Sequence, residues 1–356
     1  PVAEDAPQLP PTSPLWVIKP VSGAGNGVFA LQHLPDSTAL LSTSFVPMYT
    51  INREYRREVC GYCFLYDDGK NLRIRNSLAG FSFCSLTCQN AWNLENGLTR
   101  TVVWEPLETY IKKRHGKSAE LDELPNADDR RPSPLEISNA WEECSTKLAL
   151  VRPGIFPPCK DARGARHAIS KTTVHPDTLS FLASGHHALS GNGLTSFPPT
   201  PLETSLRHLA QSQAAYPSAH DLALHTIAHL QLAMLLNLSS LTTRNDSTQL
   251  SHTLTAVAAC NAFGLRPPVA QDPDRSEYFG WGLWPEASFF NHSCEPNVAK
   301  ERVGREWRFW AAREVRQGEE LCISYLGGEE GEMTREERQG RLKVEWGFEC
   351  CCARCE

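Results

Sequence analysis

Asn291-His292-Ser293-Cys294-Glu295-Pro296-Asn297 decides how this chain is read. An apolar run containing Ala287, Phe289 and Phe290 leads into it, and Pro296 fixes the exit. Asn, His and Cys set among apolar residues make poor material for a solvated loop and good material for a site. Beyond it lie a second apolar stretch, Leu321-Cys322-Ile323-Ser324-Tyr325, and a cysteine cluster from Cys350 to Cys355.

The cysteines supply the next constraint. Cys350, Cys352 and Cys355 form C-x-C-x2-C, three thiolates where a closed tetrahedral zinc site takes four. Cys351 adjoins two of them and is poorly placed to complete a tetrahedron, although it could exchange with a neighbour. Cys294 is the candidate fourth ligand, so the cluster is expected to fold back onto the 291–297 knot. Upstream, Cys60-x2-Cys63 and Cys84-x3-Cys88 offer a second set of four. Two close pairs point to a second structural zinc site; the plainer alternative is four buried free thiols. Cys144, Cys159, Cys260, Cys322 and Cys351 are left as ordinary thiols. With no secretory h-region at the start, thirteen cysteines read as ligands and reduced thiols rather than a disulfide framework.

Bulk properties narrow the class. With 356 residues, 41% of them hydrophobic, the chain has material for a real core and for two or three structural units, or one domain carrying insertions. A net charge of −6 gives no general basic field for nucleic acid. No apolar run approaches the ~20 residues of a membrane span. The apolar stretch from Leu222 to Leu238 is interrupted by His225, His229 and Gln231. The chain opens on Pro1 rather than Met, which points to a native N-terminus further upstream.

Taken in order, residues 1–14 are a Pro-rich tail and Trp16-Val17-Ile18 a short strand. Gly23, Gly25 and Gly27 form a strand–turn–strand rather than a dinucleotide fingerprint. A plain hairpin is the ordinary reading; close approach to a ligand is the alternative. Further strands are expected over 40–51. Helices are expected over 101–115, 135–150, 202–214 and 218–237, with a short one from His175 and another ending at Cys260. Residues 120–134, 153–166, 191–201 and 239–246 read as loops or linkers. Ser218 and Asp221 form a capping-box variant. His225-x3-His229 has the spacing of zinc ligands, but Thr226 stands where a metalloprotease carries Glu, and two histidines on a packed helix is the reading adopted. His186-His187 are expected in a loop and take no role. A strand hairpin over 297–300 and 306–312, a turn at 316–320, a buried strand over 321–326 and a charged helix over 329–341 follow.

Together these residues resemble the SET-domain protein lysine methyltransferases of the SET-and-MYND type. The resemblance is carried by Gly25-Asn26-Gly27, Cys260-Asn261-x-Phe263, Gly280-x-Gly282-Leu283-x-Pro285, the 291–297 motif, Glu320-Leu321-x-Ile323-Ser324-Tyr325 and the post-SET cysteines. Phe83-Cys84-Ser85-Leu86-Thr87-Cys88-Gln89-x2-Trp92, preceded by Cys60-x2-Cys63, resembles the first zinc site of a MYND finger. Ligands for the second interleaved site are lacking, so the likeness is to a half-finger. Motifs cover residues 16–100 and 255–356, the helical middle matches by position only, and the size resembles compact fungal members.

The resemblance implies an α+β fold of small pseudoknotted SET sheets with a half-finger insertion, a helical insertion and a post-SET zinc site. It divides the chain at 15–55 and 256–327 for the two parts of the SET domain, 56–100 for the half-finger, 101–255 for the helical insertion and 328–356 for the post-SET region. It implies S-adenosylmethionine as cofactor, zinc at two structural sites, and methyl transfer to a lysine of a protein, histone or non-histone. By resemblance Tyr325 is catalytic, and Gly25, Asn26, Gly27, Asn261, Phe290, Asn291, His292, Tyr325 and Phe348 bind cofactor. Trp346 and Tyr325 wall the lysine channel, and Trp346 stands where the family carries Tyr, losing a hydroxyl and gaining bulk. Cys60, Cys63, Cys84, Cys88, Cys294, Cys350, Cys352 and Cys355 hold metal. The chain is expected to be a monomer acting in nucleus or cytoplasm, without membrane or nucleic-acid partners. A non-catalytic, zinc-stapled interaction module on the same fold is the second reading, and a cofactor titration separates the two.

Overall fold

The computed structural model describes residues 12–97, 100–115, 130–151, 160–190, 205–206, 208–212, 215–236, 247–267, 277–328 and 330–356. Nearly all of the expected tail, most of the loop at 120–134, the linkers at 191–201 and 239–246, much of the helix at 202–214, and Cys159 fall outside the described residues.

The strands are β1 (Trp16–Val21), β2 (Gly25–Ala30), β3 (Ala39–Thr43), β4 (Met48–Ile51), β5 (Ile74–Asn76), β6 (Phe81–Phe83), β7 (Phe263–Leu265), β8 (Gly280–Leu283), β9 (Val298–Val303) and β10 (Glu306–Ala311). The described helices of eight or more residues are α1 (Leu86–Asn96), α2 (Glu105–His115), α3 (Pro134–Val151), α4 (Lys160–Lys171), α5 (Pro176–Ser190), α6 (Ala219–Leu236), α7 (Ser247–Asn261) and α8 (Arg335–Glu345).

The strands form four small antiparallel sheets: β1-β2, β3-β10-β9, β4-β8-β7 and β5-β6. Two of them join distant parts of the chain, with Trp307 opposite Thr43 and Met48 opposite Leu283. Their inward faces meet in one core, where Trp16, Val28, Phe290, Phe309 and Ile323 are all buried. The half-finger hangs on β4: Trp92 Nε1 donates to Tyr49 Oη at 3.1 Å, and that hydroxyl donates to Gly61 O at 2.6 Å.

The helical middle has its own polar centre. Ser251 Oγ lies 2.7 Å from His186 Nε2 and 2.8 Å from His229 Nδ1, so one hydroxyl serves two buried imidazoles. His225 turns elsewhere, with Nδ1 2.8 Å from Asp221 O, and the packed-helix reading of His225 and His229 holds. The Ser218 cap holds too, accepting from Asp221 N at 3.1 Å.

Three local expectations are corrected. His186 and His187 sit in α5, not in a loop, because the helix started at Pro176 continues to Ser190 and buries His186 against α7. The irregular stretch at 153–166 gives way to α4 from Lys160, whose Ile169 packs inward. Residues 321–326 form no ladder strand; single bridges tie Glu320 to Phe29 and Ile323 to His292. Leu321 N donates to Val28 O, while Cys322, Ile323 and Tyr325 direct their N–H groups to the 291–297 knot.

Candidate active site and metal centres

Residues 291–297 and 320–325 lie across one another and satisfy each other's backbone. Ile323 N donates to Asn291 O at 2.9 Å, Ser293 N to Ile323 O at 3.0 Å and Val298 N to Cys322 O at 3.0 Å. The buried Asn297 amide locks the crossing: Nδ2 donates to Glu320 O at 2.8 Å, and Oδ1 accepts from Cys322 N at 2.8 Å. A side chain that both donates and accepts is needed there, which explains Asn in that place.

The β1-β2 hairpin closes one side. Asn291 Nδ2 donates to Glu320 Oε1 at 2.8 Å and to Asn26 O at 3.3 Å. A Cβ on Gly27 would stand 2.5 Å from Glu320 Oε1 and 2.8 Å from Asn291 Nδ2, so any larger residue has to push these two side chains aside. Asn26 and Asn261, far apart in sequence, both reach one strap: Asn26 Nδ2 donates to His208 O at 2.8 Å and Asn261 Nδ2 to Ala210 O at 2.8 Å. Ser288 Oγ donates to Asn261 O at 3.1 Å, tying the strap side back to the knot. The strap carries no motif in the sequence, since it acts through backbone carbonyls; Glu320 belongs to the 320–325 motif, and its bond to Asn291 is what the structure adds.

The other side is aromatic. Tyr325 Oη donates to Phe290 O at 3.1 Å, and burial raises the Tyr325 pKa, so the phenol stays protonated at neutral pH. Its ring centre lies 5.6 Å from Trp346 and 6.3 Å from Phe348, and Phe348 lies 6.2 Å from His292. His292 Nδ1 accepts from Tyr325 N at 3.0 Å while Nε2 faces Cys294 Sγ at 3.3 Å. Those partners assign the neutral tautomer with its proton on Nε2. Burial pulls the His292 pKa down to about 4, in keeping with that. Lys300, which the sequence reading passed over, points into the same region: Nζ donates to Ser324 O at 2.7 Å.

The cysteines gather into the two expected sets, with the ligand atoms of each set within 4.8 Å of one another. A zinc–sulfur bond of about 2.3 Å in a tetrahedron requires sulfur–sulfur separations near 3.8 Å. Cys63–Cys84 at 3.6 Å, Cys84–Cys88 at 3.5 Å, Cys294–Cys355 at 3.5 Å and Cys294–Cys350 at 3.9 Å meet that requirement. Both sets fit zinc, and exposed Cys351 stays out of the second. Ser85 caps α1 by accepting from Cys88 N at 3.1 Å, which aims Cys88 at its partners. At the second set Arg338 Nη2 lies 3.7 Å from Cys355 Sγ, and Arg354 Nη1 donates to Cys294 O at 3.1 Å. The Arg338 guanidinium offsets thiolate charge, Arg354 ties the cluster to the backbone of Cys294, and the sequence announces neither. Thr334 and Glu337 start α8 with a capping box. Gly347, with φ of +79°, ends it and reverses the chain, so that Trp346 and Phe348 both face Tyr325.

The sequence was also compared with known proteins and families. The SET domain profile matches residues 25–326. The chain is 25% identical to the potential protein lysine methyltransferase SET6 of Saccharomyces cerevisiae, over 97% of this chain and 95% of that one. It is 39% identical to histone-lysine N-methyltransferase SMYD3 of Mus musculus over 28% of this chain, which spans only 22% of that relative. A solved SET domain of LSMT bound to lysine and AdoHcy aligns with 95% of this chain and 54% of that one, at 12% identity and a TM-score of 0.32. The crossed 291–297 and 320–325 segments thus lie inside a profile match that spans most of the sequence, and the chain belongs to the SET domain family.

Proposed function

We propose that this chain is an S-adenosylmethionine-dependent protein lysine methyltransferase. The observation that carries the reading is a convergence. Asn291 and His292, Tyr325, and Trp346 and Phe348 beside the cysteine cluster come together from three segments, each more than twenty residues from the next, around one polar and aromatic recess.

The residues fit such a cofactor. The backbone of the Gly25–Gly27 turn, the amides of Asn26, Asn261 and Asn291, and Phe348 offer the hydrogen bonds and the flat apolar face that an adenosyl group takes. The cofactor supplies an electrophilic methyl on a sulfonium, and a neutral lysine amine takes it in an in-line displacement without a covalent enzyme intermediate. The work of the protein is therefore alignment and desolvation. Tyr325 is held by Phe290 O and stays protonated, so it serves as an orienting polar group through weak C–H···O contacts and not as a base. Its ring and Trp346 wall a dry channel, where an entering ammonium loses solvation and is driven toward the neutral amine. Asn291 and His292 fix the recess through Glu320 and Tyr325 N. A monomer acting on protein lysines in nucleus or cytoplasm fits the acidic chain, and no described helix is long and apolar enough to cross a membrane.

Calorimetric titration with S-adenosylmethionine and S-adenosylhomocysteine tests the cofactor site. Labelled cofactor added with a proteome extract tests transfer, and the modified residue must be a lysine. Absence of cofactor binding sinks the proposal.

A further inference from the structure

Lys300 is the group that the chemistry above leaves unused. It lies on β9 opposite Phe309, a half-buried position on a strand packed among aromatic rings. Such a place ordinarily carries a β-branched apolar residue. Here it carries an ammonium, which costs desolvation; burial draws the Lys300 pKa down to about 8. The cost is met by a small set of partners. Nζ donates to Ser324 O at 2.7 Å and lies 5.4 Å from the ring centre of Phe263 and 5.7 Å from that of Trp307. The buried Glu330 carboxylate acts on it favourably, while His292, which also feels Lys300, is held neutral.

Ser324 immediately precedes Tyr325. Lys300 thus presents a primary amine on a four-carbon stem, between aromatic faces, against a carbonyl of the catalytic segment. That is the chemical group, in the kind of surroundings, that a substrate lysine would bring. We propose that Lys300 is a specificity-determining residue, the resident occupant of the acceptor channel, which an incoming lysine must displace from the Ser324 carbonyl before it can reach Tyr325. The proposal rests on the methyltransferase reading for its biological meaning. It deepens that reading by naming the contact that an acceptor lysine has to displace.

The test uses n-butylammonium, a lysine side chain without its backbone, titrated by NMR into the full chain saturated with S-adenosylhomocysteine. Lys300→Val opens the channel, and Lys300→Arg keeps a cation in it. Lys300→Val is expected to bind the probe at least about tenfold more tightly than either wild type or Lys300→Arg, the size of one charge-assisted hydrogen bond no longer displaced. Equal binding by all three overturns the proposal. Acetic anhydride labelling of wild type, read by peptide mass spectrometry, keeps the question decidable if Lys300→Val does not fold. Lys300 should acylate at least about tenfold more slowly than the exposed Lys70, and an equal rate overturns the proposal. The two readings fail separately. Tighter probe binding without transfer to any protein removes the enzyme and keeps the occupant, whereas transfer with indistinguishable probe binding does the reverse.

Discussion

Cys294→Ser cuts the link between the crossed segments and the end cluster, and its effect on the recess follows from the geometry. Cys294 Sγ lies 3.5 Å from Cys355 Sγ and 3.9 Å from Cys350 Sγ, so its loss leaves three thiolates for an ion that takes four. Without that ion residues 346–355 are free to leave Tyr325 and His292. Three aromatic pairs go with them: Tyr325–Trp346, Tyr325–Phe348 and His292–Phe348. At about 0.5–1.5 kcal/mol a pair, the recess loses about 1.5–4.5 kcal/mol of wall. That corresponds to a loss of about 10-fold to 2,000-fold in cofactor affinity. Zinc content measured by mass spectrometry should fall from two ions per chain to one, matching the two cysteine sets. Calorimetry with S-adenosylhomocysteine should show the affinity loss, and Cys351→Ser should change neither, since Cys351 is exposed and outside the set. Wild-type affinity at one zinc per chain would refute the claim that the metal builds the recess.

Tyr325→Phe should lower transfer at least about 100-fold, as loss of one preorganised polar contact does; cofactor affinity should stay within about threefold, and a large affinity loss would make Tyr325 a packing residue. Gly27→Ala forces a methyl against Glu320 and Asn291, so calorimetry should show cofactor affinity down about tenfold or more, and unchanged binding would remove those two side chains from the site. Burial holds His186 neutral with its pKa down to about 3, whereas the unfolded chain takes up a proton from about pH 6.5 downward. Stability is therefore full above pH 6.5 and falls as the pH drops toward 3, by up to about 1.4 kcal/mol per pH unit from this residue. Guanidinium chloride midpoints between pH 7 and 5 should show a shallower pH dependence for His186→Gln, and an unchanged one would mean that the imidazole is not held neutral.

Both zinc sets and the knot were legible because each rests on chemistry with few alternatives, whereas the aromatic wall of Trp346 and Phe348 was reached only through the family resemblance. Four soft ligands close a tetrahedron whatever the fold around them, so Cys294 could be assigned across fifty-six residues of chain by the need for a fourth thiolate. The strap at 208–212 and the Lys300 amine were not legible. The strap acts through the carbonyls of His208 and Ala210, which every residue possesses and no side chain advertises. Lys300 reads in sequence as an ordinary strand lysine, and only the packing of Phe263 and Trp307 around its stem makes it unusual. His186 was misplaced for a related reason. Its glycine- and serine-bearing segment has weak helical preference, and burial against Ser251 overrides it. Residues 321–326 look like a strand because they are apolar, yet their partners are the backbone of a crossing segment rather than a neighbouring ladder.

Pairing of β4 with β8 sets an order of events during folding. Ile51 meets Gly280 only after the whole intervening chain has been gathered in. Closing such a loop from an unstructured chain costs about 5 kcal/mol in lost freedom before any contact repays it. The half-finger and the helices around Ser251 lie inside that loop and draw on contacts within it, so they can condense first and shorten the search. The rate at which the recess appears is thus governed in part by residues outside it, such as Ser251, His186 and His229. A destabilised helical middle would slow maturation of the site while leaving its finished geometry unchanged.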